Sequence, residues 1–366
     1  MRLDKNKRLV CISIFLVALA LVLETVSRFE DGFARWYSTC LYPVWVGSIG
    51  RLMGYLPFSV SELLLCLLII AVASIIGRCV RAVVYKRADC GTEKDREPCV
   101  RLEYVLLPAA ILAFLYVVNC GINYQRESFS ESSGIRAGEY STDQLTQVCR
   151  WLTGRVADYS DKVKRGADGG MILDISVQEQ AVEAMNRLGQ EYPELAGYYP
   201  RPKKLVNSWI LSVQSLSGVY SPFTIEANFN GDMQDFYIPY TACHELSHLR
   251  GFMQEQEANF IAFLACSGSE EEAFAYSGYL SAWIQCMNVL HKVDYDAWEE
   301  LRGQFPDRAE ADLKLNREFW ARYDGRIAEV SNRVNDTYLK ANGQKDGVKS
   351  YNRMVDLIVA YYYGGN

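Results

Sequence analysis

Histidine is nearly missing from this chain, with only three among 366 residues. Cysteine is more frequent at 11, but seven of these lie at or before residue 120. The four that follow (Cys149, Cys243, Cys266 and Cys286) have no C-x-x-C spacing and sit in apolar, helical settings, which excludes a disulfide framework. No internal repeat is present. An excess of positive charge is missing too, because residues 122–366 carry 24 basic and 34 acidic side chains, a net of −10. That balance argues against nucleic acid or anionic lipid as a partner.

Long apolar runs are what the first third of the chain does have. Leu9 to Leu23 is almost wholly apolar and follows Arg2, Lys5, Lys7 and Arg8, with no convincing small-x-small cleavage site behind it. Leu63 to Ile76 and Val105 to Ile122 are two further runs. Three such runs with basic flanks read as membrane spans at about 9–27, 61–84 and 103–122. The loop between the second and third spans holds Lys86, Arg87, Lys94 and Arg96, with Arg78, Arg81 and Arg101 nearby, whereas the loop before it holds only Arg28, Arg35 and Arg51. The positive-inside rule then puts the N-terminus in the cytoplasm and everything after the third span outside it, in a multi-pass protein of the cell membrane. Residues 29–60 are rich in Trp and Tyr and poor in charge, as expected of interfacial helices anchoring the outer leaflet.

The organisation expected is a membrane part at 1–122, a linker at 123–135, whose Arg126–Gly134 stretch reads as a polar tether, and an extracytoplasmic domain at 136–366. The pattern within that domain is mostly helical. Helices are read at 142–156, 176–195, 269–291, 307–335 and 347–363, and strands at Leu205-Val206 and from Val219 to Phe229. Asp235 to Tyr240 reads as a short strand closed by Pro239.

Two of the three histidines stand in His244-Glu245-Leu246-Ser247-His248. On a helix, positions i and i+4 share a face, so both imidazoles reach one metal ion while Glu245 lies beside them as a base for a water molecule. Gly251 marks a helix end in a left-handed turn, and a second helix starts at Gln254. Two helices joined by so short a turn run roughly antiparallel, so a carboxylate of the second can complete a three-ligand zinc site with an open fourth position. Glu255 and Glu257 compete for that place, being about 200° apart around the helix. Glu255 is preferred, because its face carries small residues and Asn259 one turn on, where it can hold the free nitrogen of a ligand histidine. Cys243 turns away from the ligand face, and the third histidine, His291, reads as a helix cap.

His244-Glu245-x-x-His248 with Glu255-x-x-Ala258-Asn259 resembles the gluzincin metallopeptidases. The stretch from Gly218 to Cys266, with Tyr338 to Gln344, is similar to an uncharacterised bacterial membrane family of that clan. The chain departs from most gluzincins in placing only six residues between His248 and Glu255. A metzincin's third histidine would fall at Gln254, a poor zinc ligand. The resemblance implies a membrane-anchored α+β protein, in which transmembrane helices precede a mostly helical zincin-like domain with a small sheet. It also implies an edge strand ahead of the metal helix that pairs with an extended substrate, Glu226 on that strand either touching substrate or blunting the edge. The activity expected is zinc-dependent hydrolysis of a peptide or protein, with His244, His248 and Glu255 as ligands and Glu245 as general base. Tyr338 is one candidate donor to the oxyanion. Two rivals stand beside this reading: an amidase acting on cell-wall peptide, and a zinc-bearing membrane sensor or scaffold without hydrolytic chemistry.

Overall fold

The computed structural model describes residues 5–30, 32–87, 103–344 and 353–364. The expected basic residues Arg2, Lys94, Arg96 and Arg101, and the start of the helix read at 347, lie outside the described residues. The architecture is mostly helical with one small sheet. Among the described residues, three helices are long and apolar enough to cross a membrane, within Asn6–Phe29, Val60–Arg81 and Tyr104–Gln125. They belong to α1 (Lys5–Phe29), α2 (Val60–Arg87) and α3 (Glu103–Tyr116), the last running on through a π-turn at Val117–Gly121. α1 packs along α3.

The aromatic stretch after α1 is a chain of short α- and π-turns from 33 to 54, and it does more than lie on a surface. Tyr42 is buried, with its hydroxyl on the Leu249 carbonyl (2.9 Å) and on the Tyr220 hydroxyl (2.8 Å). Tyr37 donates to the Val118 carbonyl at 2.8 Å. Trp36, Trp45 and Tyr55 remain exposed, as anchoring residues would.

The polar tether expected at Arg126–Gly134 is folded into the core. Ser128 and Glu131 form a capping box that starts α4 (Phe129–Ser133), and Phe129 is wholly buried against Tyr192, Phe252 and Phe260. The serines misled the reading, because they cap a helix rather than solvate a linker. Tyr42, Ile122, Tyr124 and Phe129 therefore belong to the same hydrophobic core as the residues beyond 136, and the 123–135 segment does not separate two cores.

Beyond it, α5 (Thr142–Ser160) opens with a Ser141–Gln144 capping box and α6 (Val177–Glu191) is capped by Ser176. The sheet has the order β1–β3–β2, with β1 (Lys203–Lys204) parallel to β3 (Glu226–Phe229) and β2 (Gly218–Ser221) antiparallel to it. The strand read from Val219 to Phe229, with a break at Pro222, is a hairpin folded there, and β2, not the Glu226 strand, lies at an edge. All four residues of β3 are buried. Glu226 neither touches the cavity nor blunts an edge. It accepts from the backbone amides of Val60 (3.0 Å) and Ser61 (2.8 Å) at the start of α2 and pairs with Lys203 at 2.5 Å. A carboxylate at a helix N-terminus satisfies donors that the helix cannot satisfy itself. Glu62, one turn in, accepts from the amides of Val206 (3.0 Å) and Asn207 (2.6 Å). The second apolar helix is therefore clamped to the sheet at its first turn.

The strand expected at 235–240 is a 3₁₀ turn (Asp235–Tyr237) leading into α7 (Ile238–Leu249). Pro239 opens the helix rather than closing a strand, because proline in the first turn loses no hydrogen bond. Then come α8 (Glu255–Ser267), α9 (Glu272–Val293), α10 (Tyr295–Gly303), α11 (Asp307–Ala321), α12 (Arg326–Ala341) and α13 (Arg353–Gly364). Gly325 breaks the helix read at 307–335 into two. α7, α8 and α9 pack together as the centre of the core, and every residue of α7 except His244 is buried.

Candidate metal centre

The turn between α7 and α8 sets the geometry of the site. The Phe252 amide bonds to the Ser247 carbonyl (3.1 Å) and the Gly251 amide to the His248 carbonyl (2.8 Å), with Gly251 at φ +97°. This is the paired bonding of a Schellman C-cap, and it needs a residue tolerant of positive φ at Gly251. The turn also brings the Phe252 carbonyl back to Nδ1 of His248, at 2.8 Å. That bond fixes the proton on Nδ1 and leaves Nε2 bare, as a metal ligand requires.

Nε2 of His248 lies 3.8 Å from Oε1 of Glu255, and Nε2 of His244 lies 3.3 Å from Oε2 of Glu255. The three residues offer ligand atoms that all fall within 4.8 Å of one another. Atoms bound tetrahedrally to zinc at about 2.0–2.2 Å stand roughly 3.3–3.6 Å apart, so the cluster is close to the size of a zinc shell. Two imidazoles and a carboxylate are also a donor set that zinc accepts with an open fourth position. Glu257 is elsewhere, accepting from the Ser130 amide (2.9 Å) and hydroxyl (2.8 Å) at the start of α4. His291 packs on Tyr295 and Trp298. Among the described residues, neither supplies a fourth ligand.

Asn259 takes the expected position in part. Its side chain helps to favour the protonated form of His244, yet its Oδ1 is engaged by the Tyr240 hydroxyl at 3.2 Å. Nδ1 of His244 is buried with no hydrogen-bond partner. Cys243 is fully buried and turned into the core.

Electrostatics differ sharply between neighbours. Burial, with the adjacent His244, pushes His248 down to about 4. Burial also disfavours the charge on His244, but the Glu255 and Glu245 carboxylates outweigh it and its pKa is raised. Glu245 is pushed up to about 8, chiefly by burial, while the Tyr220 backbone amide partly relieves it. One of its oxygens, Oε2, is buried without a partner. A carboxylate held this way is a stronger base than a solvated one.

Both histidines, Glu245 and Glu255 line one cavity of about 620 Å³. The edge strand β2 forms one wall, and α12 contributes Asn332, Asn335 and Tyr338. Tyr338 lies edge-on to the rings of Tyr116 and Tyr124, with its hydroxyl 3.4 Å from Sγ of Cys120. Burial raises its pKa, so it stays a neutral donor. Two contributions escaped the sequence reading. Gly218 is required for space, since a Cβ there would stand 2.5 Å from Oε1 of Glu245. Tyr116, Cys120 and Tyr124, at the end of the third apolar helix, form the cavity wall. Tyr116 and Cys120 fell within the expected span and Tyr124 in the expected linker, so their sharing of one helical face did not point to a cavity.

A family model described as a protein of unknown function, DUF3810, matches residues 37–359. Comparisons with curated proteins and with solved structures find no match.

Proposed function

The chain belongs to the DUF3810 family, and we propose that it is a membrane-anchored zinc metallopeptidase of gluzincin type. The observation that carries this reading is the convergence of His244, His248 and Glu255 with a buried Glu245 on one cavity. Zinc held by those three residues would supply a Lewis acid that polarises the scissile carbonyl and acidifies water. The partnerless oxygen of Glu245 accepts a proton from the attacking water and delivers it to the leaving nitrogen, so that one amide and one water become a carboxylate and an amine. β2 is paired only through β3, which leaves its other edge to receive an extended peptide by backbone hydrogen bonding. Tyr338 is a donor within the same cavity for the charge that develops on the carbonyl oxygen.

A structural zinc site in a sensor or scaffold needs no base and usually closes with four ligands. The placement of Glu257 on Ser130 and of His291 against Trp298 argues against such closure. Sidedness is part of the same proposal. The start of α2 and the end of the third apolar helix both meet the folded domain, which agrees with that domain lying on one side of the membrane.

The test is Glu245→Gln in the full chain, assayed on a peptide library. Hydrolysis is expected to fall by at least about a hundredfold, the scale of a lost general base, while zinc content stays at the wild-type value. Unchanged hydrolysis would remove Glu245 from the chemistry, and loss of zinc would make it a ligand.

A further inference from the structure

An apolar groove of about 370 Å³ lies between α1 and α3. Val17 and Leu21 line one side, and Leu112 and Ala113 the other. All four fall within helices long and apolar enough to cross a membrane. Tyr116 and Phe223 line this groove and also the cavity that holds His244, Glu245, His248 and Glu255. The same two side chains thus border both spaces.

One charged residue borders the groove. Oε1 of Glu24 pairs with Arg28, but Oε2 is buried with no partner. That oxygen packs against Gly121, where a Cβ would stand 2.7 Å from it.

We infer that the substrate is an acylated peptide, whose alkyl chain lies in the α1–α3 groove while its peptide part passes Tyr116 and Phe223 to the centre at Glu245. This rests on the peptidase reading and adds the substrate class. A transmembrane helix is not the occupant, since a helix about 10–12 Å across would have to separate α1 from α3. An extended peptide is not the occupant either, because its backbone amides would go unpaired among Val17, Leu21 and Leu112. An alkyl chain carries no such groups. Surrounding lipid tails are as apolar as the groove, so the groove does little for affinity and acts by position. It holds one end of the substrate so that the attached peptide meets Glu245 at high local concentration.

The experiment uses the full chain with Glu245→Gln, reconstituted in phosphatidylcholine vesicles, and a palmitoylated peptide bearing a diazirine in mid-chain. Phosphatidylcholine with the same diazirine in one tail reports bulk lipid. The acyl-peptide is expected to label residues 17–24 and 112–117 at least several-fold more than the lipid probe does. Ala113→Trp should reduce labelling to the lipid level without changing the melting temperature. If that variant fails to fold, Val17→Trp on the opposite wall asks the same question. Equal labelling by the two probes, or labelling unchanged in the folded tryptophan variant, would overturn the groove assignment even if soluble peptides are cleaved. Selective labelling with no hydrolysis by the wild type would keep the groove and remove the peptidase.

Discussion

Glu245 is confined on one side by β2. β2 passes so close that only glycine at position 218 leaves space, a Cβ there standing 2.8 Å from Cγ of Glu245 and 2.9 Å from the Asn228 carbonyl. Gly218→Ala must therefore displace the carboxylate or the strand. Because small misplacements of a catalytic group are costly, hydrolysis is expected to fall by about a hundredfold with zinc retained. Wild-type turnover in this variant would mean that the position of Glu245 does not matter. The convergence of the histidine pair was legible from helical spacing, and that of Glu255 from the small residues on its face. Gly218 was not, since its role depends on a close approach between a strand and a helix that are distant in sequence. Asn259 was legible as a neighbour of the histidines but not as a partner of Tyr240, a residue then read as the end of a strand.

Short elements hide their partners in the same way. Glu226 was read as touching substrate or blunting a sheet edge and Lys203 drew no reading at all, yet both are buried, and Lys203 also donates to the carbonyls of Met53 (2.7 Å) and Phe58 (2.8 Å). The pair joins the sheet to the first turn of α2. Breaking one half leaves a buried charge uncompensated, so Glu226→Gln is expected to cost about 3–5 kcal/mol in denaturant unfolding of the full chain. Lys203→Met combined with Glu226→Gln should cost less than the sum of the two single changes. Strict additivity would mean that the two side chains do not act together. Helices with Ser caps and clear periodicity, such as α5 and α6, were readable almost to their ends. The break at Pro222 was readable, but the pairing of β2 with β3 and the helix that opens at Pro239 were not, because periodicity cannot tell a short strand from a turn of helix or name its partner.

At the scale of the whole molecule, the apolar helices and the His244–His248–Glu255 cluster pack into one structure. Tyr42 and Tyr124 belong to the core that supports α7, and the third apolar helix ends in the cavity wall. The sequence suggested an anchor, a tether and a separate domain because a hydrophobic run and a serine-rich stretch look alike whether or not they pack against something. With the basic flanks cytoplasmic, a reporter fused after Asn366 is expected to be active only outside the cytoplasm. Cytoplasmic activity there would contradict the proposed orientation.

The central claim is that this chain carries zinc at a three-residue site, and metal analysis of the purified full chain tests it most directly. One zinc per chain is expected, lost in His244→Ala or His248→Ala, weakened in Glu255→Gln and kept in Glu257→Gln, whose carboxylate holds Ser130 instead. A wild-type protein without zinc that takes none up on addition, or loss of zinc in Glu257→Gln but not in Glu255→Gln, would contradict the account.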